Sequence, residues 1–373
     1  MIRVVLVAPG WMTGGQAVEA RTLVKGFAND PAVRVELQPI DPRIPAWLTQ
    51  VRGLRTLVKM PIFTVGLLRR ILRADIVHVF TAAFWPFLLT TTPAILLGRL
   101  LGRPVILNYR DGRAREHIKY RVVRWILRRA TLLVFPSGFL KEVFAEFGLH
   151  GIVVSNVVDT DRFGFRERKP LRPVLLSARL LEELYRVDNT ILAHEEVRRV
   201  VPDARLLIVG DGNRRDALEA LVAQRKIEGV EFVGAVLHNE MGEWFDRADI
   251  LVNSSRIDNM PHCLIEAFSA GMPVVTTPSG GIPHIVQDGR NGLHVPRDNP
   301  QAMADAVLRL LAEPTLAQQL IDTGRKDCEA RYSWIAARRQ WFILYGDLLA
   351  GIVPRAEVPL ESRHTLSFNA SGR

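Results

Sequence analysis

The sequence predicts an α/β protein of two domains, each built around a parallel sheet, and three observations support this. Short apolar runs of strand type alternate with helical segments, as in βαβ units. The 373 residues, 48% of them apolar, are enough for two hydrophobic cores. Residues 166–173, RERKPLRP, interrupt this alternation with charges and two prolines, so we place the division between the domains there.

The first domain is predicted to begin with a strand from Arg3 to Ala8 that leads into a helix from Gln16 to Ala28. Gly14 and Gly15 lie in the intervening turn, where glycine lets backbone N–H groups come close to a phosphate. Many strand-to-helix turns use glycine for geometry alone, so this signal is weak by itself. Further strands of this domain are predicted at 75–80, 105–109, 131–136 and 152–156.

Two segments of the first half are strongly basic. Residues 51–73 hold six basic and no acidic side chains among apolar ones, and residues 113–129 are predicted as an arginine-rich helix. Residues 1–165 carry 23 Lys and Arg against 11 Asp and Glu, whereas the remainder carries 26 against 28. Such a first half is typical of a protein that binds anionic lipid or nucleic acid, although ordinary solvated helix faces also show this composition.

Residues 249–298 contain a strand, a loop, a helix and a second strand, which is a βαβ crossover. The helix is predicted from Pro261 to Ala270, because proline suits a helix start and Gly271 can end it. Asp258 in the loop and Glu266 in the helix should face the crevice beyond the strand ends, where α/β proteins bind ligands. A carboxylate there can accept hydrogen bonds from ribose or sugar hydroxyls.

The stretch from Asp258 onward, DNMPHCLIEAFSAGMPVVTTPSGGIPHIV, resembles the signature segment of family 4 glycosyltransferases. That signature is an acid, seven residues, Glu-Ala, then Gly-x-Pro-Val-Val and Gly-Gly-Ile-Pro. The resemblance implies the GT-B fold, two Rossmann-like domains facing each other across a cleft, with a C-terminal helix that crosses back to the first domain. The predicted parts are an acceptor-side domain (1–168), a nucleotide-sugar domain (169–332), the crossover helix (333–351) and a disordered tail (352–373).

The resemblance also implies roles for individual residues. Glu266 should hold the nucleotide ribose, Asp258 should contact the transferred sugar, and Arg179 matches the arginine that grips the donor phosphate. These three are the predicted catalytic residues. The lysine that the family has farther along is absent, and Arg186 is the candidate replacement. The predicted donor-binding set is Gly14, Gly15, Arg179, Arg186, Asp258, Asn259, Met260 and Glu266.

A loop after the strand 105–109 opens onto the same crevice. Family 4 enzymes often have a histidine in this loop, whereas this sequence has Arg110 and Asp111, with His117 farther on. These three residues are the candidates for the acceptor side. Residues 155–163, SNVVDTDRF, resemble the interdomain loop of the family, so its aspartates are predicted to cap a turn and no metal site is expected.

The resemblance implies a retaining, metal-independent glycosyltransferase with a nucleotide-diphosphate sugar as donor and no further cofactor. Its acceptor is predicted to be a lipid-linked or cell-surface glycan precursor. The first domain is then expected to contact an anionic membrane from the cytoplasmic side, because no signal-peptide pattern opens the sequence and Cys263 and Cys328 suggest no disulfide framework.

Two other classes of function remain open at this point. A sugar-nucleotide epimerase or a phosphorylase shares the GT-B architecture, and would consume donor without an acceptor or require free phosphate. A basic nucleic-acid-binding protein would explain the charge of the first half, but no recognised binding motif is present, so no nucleic acid is expected.

Overall fold

A computed structural model of the protein describes residues 1–10, 15–42, 54–81, 83–160 and 162–354. Its strands form two parallel sheets of six strands each, in the orders β2-β1-β3-β4-β5-β6 and β12-β11-β10-β7-β8-β9. The first sheet contains β1 (Ile2–Ala8), β2 (Val33–Pro39), β3 (Ile76–Thr81), β4 (Val105–Tyr109), β5 (Leu132–Phe135) and β6 (Ile152–Val153). The second contains β7 (Val174–Ala178), β8 (Arg205–Val209), β9 (Val230–Gly234), β10 (Ile250–Asn253), β11 (Val274–Thr276) and β12 (Leu293–His294).

Helices follow most strands of both sheets. Those of the first half are α1 (Gly15–Gly26), α2 (Leu54–Arg73), α3 (Thr92–Leu100), α4 (Ala114–Ile118), α5 (Arg121–Leu127) and α6 (Gly138–Ala145). Those of the second half are α7 (Val187–Val200), α8 (Arg215–Arg225), α9 (Met241–Arg247), α10 (His262–Ala270), α11 (Pro300–Ala312), α12 (Pro314–Asp327) and α13 (Trp334–Leu349). Single turns of 3₁₀ or π type lie at Phe87–Thr91, Glu183–Tyr185, Ile282–His284 and Cys328–Tyr332.

The predicted fold, two Rossmann-like domains with a returning C-terminal helix, is confirmed. Helix α13 packs on the first sheet, where Trp341 and Tyr345 are almost completely buried beside β1 and β3 side chains. His78 on β3 accepts or donates a hydrogen bond with the Tyr345 hydroxyl at 3.0 Å, so this strand histidine belongs to the core. Burial against the first sheet therefore holds the crossover helix in place.

The prediction of a single helix over 113–129 is wrong, because the structure has two short helices in this segment, α4 and α5. Tyr120 takes an extended conformation before α5, with φ −75° and ψ 124°. The Arg124 guanidinium donates to the carbonyls of Ile118 and Lys119 at 2.7 and 2.8 Å. It thus satisfies carbonyls that a continuous helix would have bonded internally.

Other boundaries differ by a few residues. Strand β6 ends at Val153, short of the predicted 156, and α10 begins at His262, with Pro261 as an extended N-cap residue. The segment 166–173, predicted as the division, is fixed to the second domain by Asp249. The buried Asp249 carboxylate accepts hydrogen bonds from Arg166 and Arg172. The chain passes from the first sheet to the second between the end of β6 at Val153 and the start of β7 at Val174, a connection that includes the predicted division.

Some predictions fall outside the described residues. They concern Gly14, residues 51–53 of the first basic segment, the aspartate at position 161 in the loop 155–163, and the tail from residue 355. Within the described ranges, no helix combines the length and apolar character needed to cross a membrane.

Candidate active site

The carboxyl ends of the two sheets meet across a cleft, and polar contacts cross it. The Ser137 hydroxyl, at the start of α6, donates to the Asn259 side-chain oxygen. The Asn156 amide nitrogen donates to the Met260 carbonyl at 3.3 Å. Gly15, at the start of α1, lies so close to His262 that a Cβ there would be 3.5 Å from the ring. The N-termini of α1 and α10 therefore lie close together, and each favours an anion in the space between them.

Arg179 and Asp258 form an ion pair in the second-domain wall of this cleft. Arg179 follows β7, and its Nη2 is 2.5 Å from Asp258 Oδ2, with both side chains nearly buried. The guanidinium also stacks on the Tyr185 ring, 4.0 Å from its centroid. Burial raises the pKa of the Asp258 carboxyl, and the charge of Arg179 opposes this shift. The pair thus places a cation at the strand end with its charge balanced by the carboxylate.

Glu266 lies in the second turn of α10 and is only 5% exposed. Burial raises the pKa of its carboxyl to about 8, against the opposing charges of Arg162 and Arg179. Among the residues that the structure describes, no hydrogen-bond donor to this carboxylate is found. A buried acceptor in a ligand crevice without a protein donor can take a pair of hydroxyl groups.

Arg186 is placed differently from Arg179. Its guanidinium binds the Asp188 carboxylate at 2.7 Å and the Asp298 carboxylate at 2.5 Å, and Arg256 shares Asp298. Its contact with a donor phosphate therefore stays a prediction.

The three acceptor-side candidates separate in the structure. Arg110 lies at the cleft, where its guanidinium donates to the Asn156 side-chain oxygen and covers the Phe80 ring at 4.6 Å. Asp111 accepts hydrogen bonds from the backbone N–H groups of Ala83 and Arg113, so it shapes the loop. His117 is buried beneath this loop.

The His117 ring lies in the core of the first domain. Its Nδ1 is 2.9 Å from the Tyr109 hydroxyl, and its ring packs edge-on against Phe87. Burial lowers the pKa of His117 to about 4, so the imidazole is neutral near pH 7.

Three residues that meet in the cleft were not predicted from the sequence: Glu19, Asn156 and His262. Glu19 Oε2 accepts the Val157 N–H at 3.1 Å and is 3.9 Å from His262 Nε2. Burial raises the pKa of the Glu19 carboxyl to about 7, with Arg110 opposing. The sequence signal that could have identified Glu19 is its position on the buried face of α1, beside Ala20 and Leu23, where an acidic residue is unusual.

The site was also searched for side chains that could bind a metal ion. The described ranges contain no group of three or more His, Cys, Asp or Glu side chains arranged as a metal site would need.

Two family models match consecutive parts of this chain. "Glycosyltransferase Family 4" matches residues 3–162, and "Glycosyl transferases group 1" matches residues 158–327. The chain belongs to family 4 of the glycosyltransferases. The two matches meet in the connection between the two sheets, beside the cleft.

The names of the relatives of this family 4 glycosyltransferase indicate different substrates. Glycogen synthase of Mycobacterium tuberculosis is 28% identical over 279 residues, which are 70% of this chain and 66% of that protein. The GDP-mannose-dependent alpha-(1-6)-phosphatidylinositol monomannoside mannosyltransferase of the same organism is 29% identical over 299 residues, 74% of this chain and 77% of that protein. The first of these two alignments thus spans about two thirds of its relative.

Solved structures show the same fold. Sucrose-phosphate synthase from Thermosynechococcus elongatus superposes with a TM-score of 0.76 at 19% identity, covering 94% of this chain and 100% of that one. Anabaena HepE in complex with UDP-glucose superposes with a TM-score of 0.73 at 16% identity, again over 94% and 100%. At this identity the likeness concerns the fold.

Proposed function

We propose that this protein transfers a sugar from a nucleotide-diphosphate sugar to an acceptor with retained anomeric configuration. The observation that carries the proposal is the meeting of the Gly15 helix start, the Arg179–Asp258 pair and the buried Glu266 in one cleft. Residues 169–332 then bind the donor, with Glu266 on the ribose, Asp258, Asn259 and Met260 near the transferred sugar, and Arg179 on the diphosphate. Residues 1–168 bind the acceptor, with Arg110 at the cleft.

The leaving group of this reaction is a nucleoside diphosphate, whose charge must be stabilised as the glycosidic bond breaks. Arg179, the backbone N–H of Gly15 and the N-terminus of α10 are fixed before the reaction, so they stabilise that charge without rearrangement. These groups supply what a metal ion supplies in other transferases. The acceptor hydroxyl attacks on the face that the diphosphate leaves, and a phosphate oxygen takes its proton.

A thermal-shift panel tests the donor. A ligand at 100 times its dissociation constant adds about 2.7 kcal/mol to the stability of the folded state. The panel contains UDP, GDP, ADP and their glucose and mannose conjugates. Compounds with one of the three bases should raise the melting temperature, and those with the other two should not. Absence of stabilisation by every member of the panel would count against the proposed donor.

A change of Arg186 to alanine is expected to weaken nucleoside diphosphate binding by about 1.5 to 3 kcal/mol, the usual strength of a hydrogen bond to a charged group. Donor binding would then recruit Arg186 from Asp188 and Asp298. Calorimetric titration with the stabilising nucleotide measures the effect. An affinity within about a factor of two of wild type would show that Arg186 binds Asp188 and Asp298 and does not contact the nucleotide.

The first domain also presents a face suited to an anionic membrane. Helices α2, α3 and α5 pack on the same side of the first sheet, so their outer sides form one surface, here called the basic apolar face. Residues 54–73 and 83–103 contain no acidic residue. A cavity of about 620 Å³ opens on this face, lined by arginines and Trp125. The exposed apolar residues of the face are Leu57, Ile62, Val65, Leu68, Leu72, Leu96, Leu100, Val122 and Trp125.

These features support a lipid-linked acceptor, presented to the cleft from a membrane that the basic apolar face contacts. Basic groups attract anionic headgroups, each by about 1 kcal/mol near the surface, and the exposed leucines add apolar insertion. The phosphatidylinositol named in the mannosyltransferase relative is a lipid of this kind.

Vesicle co-sedimentation tests this contact with a charge-reversal pair. Arg121→Glu with Arg128→Glu should reduce binding to vesicles of anionic lipid about tenfold or more at low salt, and wild-type binding should fall steeply as salt rises. Arg124 is left unchanged because it holds the carbonyls before α5. The matched control, Arg199→Glu with Arg309→Glu in the second domain, alters net charge equally and should bind like wild type. Wild-type protein that ignores anionic vesicles at low salt would favour a water-soluble acceptor.

A further inference from the structure

His262 is the first residue of α10 and stands between the N-termini of α1 and α10. The Cδ2 and Nε2 edge of its ring faces Gly15, at 3.5 and 3.8 Å from the position of a Cβ there. The side chain is 15% exposed. Its imidazole therefore borders the gap in which two helix N-termini favour an anion.

The hydrogen-bond network determines which ring nitrogen carries the proton. Arg110 has only donors, so the Asn156 atom that it contacts is the amide oxygen. The Asn156 nitrogen then donates to the Met260 carbonyl and, at 3.1 Å, to His262 Nε2. Because Nε2 accepts, the neutral imidazole carries its proton on Nδ1.

The Nδ1–H is a donor for which the described residues show no acceptor. The ring stays neutral, because burial and the positive charges of Arg110 and Arg179, together with His238, lower the pKa of His262 to about 3. Glu19 lies beside the Nε2 edge of the ring, the edge that also faces Gly15, and its carboxylate is 3.9 Å from Nε2. Asn156 thus holds the ring along its Nε2 edge, and the Nδ1–H on the other edge is a donor at the border of the anion site, where it is suited to bind the anion.

We propose that His262 binds the donor diphosphate, donating its Nδ1–H to an oxygen of the β-phosphate, with Asn156 and Glu19 as positioning residues for the ring. This inference rests on the proposed function, because it assumes a nucleoside diphosphate in the cleft. It adds a side-chain contact from the second domain that depends on first-domain groups. The diphosphate is thus held correctly only when Arg110, Asn156 and His262 are aligned across the cleft.

The test compares nucleotides with and without a β-phosphate. His262→Phe keeps the volume of a ring and removes the donor, so it should lower the affinity for UDP or GDP about tenfold or more. Affinity for the corresponding monophosphate should stay within about twofold, because the α-phosphate and base contacts remain. A merely structural role would lower both affinities together and reduce the melting temperature.

A second variant and a control keep the result interpretable. His262→Asn retains an N–H donor and should recover part of the diphosphate affinity. His284→Phe is the matched control, since His284 also packs against a first-domain glycine, Gly138, and should change neither affinity.

Two results would overturn the inference. The first is that His262→Phe binds the diphosphate as tightly as the wild type, or loses equal affinity for the monophosphate and the diphosphate. Either finding would exclude the proposed contact, while nucleotide binding by the wild type would still support the proposed function. Wild-type protein that binds none of these nucleotides would overturn the proposed function itself, and this inference with it.

Discussion

Replacing Glu266 by glutamine is expected to abolish sugar transfer and to stabilise the ligand-free protein at alkaline pH. Transfer is lost because an amide presents only one acceptor oxygen to the ribose hydroxyls. The stability effect follows from burial, which raises the pKa of this carboxyl from 4.5 to about 8. The folded state keeps a proton that the unfolded chain loses, so the free energy of unfolding falls as pH rises from about 4.5 to 8.

Chemical denaturation between pH 5 and pH 9 measures this effect. Glutamine carries no titrating proton, so the variant should gain on the order of 3 kcal/mol over wild type at pH 9 and little at pH 5. Glu142→Gln, at an exposed position of α6, is the control and should change neither transfer nor the pH dependence. Nucleoside diphosphate release at near wild-type rates by Glu266→Gln would falsify the assignment of Glu266 to the donor.

Replacing Arg179 by methionine is expected to lower the free energy of unfolding by about 3 to 5 kcal/mol and to abolish donor binding. The stability loss arises because the Asp258 carboxylate, nearly buried, is left without its cation. Adding Asp258→Asn removes that unpaired charge, so the double variant should recover most of the stability and none of the donor binding. Denaturant unfolding and nucleotide titration of the wild type and the two variants measure both effects.

A surface pair provides the comparison. Arg3 and Asp75 also form an ion pair, at 2.7 Å, but the Arg3 side chain is 53% exposed. Arg3→Met should therefore cost less than about 1 kcal/mol and leave donor binding unchanged. A similar small cost at Arg179 would show that Asp258 is solvated in the ligand-free cleft.

The strands were predictable because parallel sheets bury both faces of each strand, which leaves continuous apolar runs in the sequence. Strand β4 has the predicted bounds, 105–109. The arginine-rich helix was not predictable in detail. Its break at Tyr120 depends on where the Arg124 guanidinium lies, and periodicity carries no information about that contact.

Local sequence by itself determined the βαβ unit of Asp258 and Glu266 and the family to which the chain belongs, because both depend on residues close together in the chain. Tertiary structure decided which polar side chains meet in the cleft. Asn156 and His262 are 106 residues apart, and they touch only because both sheets end at the same cleft. His117, in contrast, lies close to Arg110 in the chain but packs into the core, since its ring gains more from burial against Phe87 than from water.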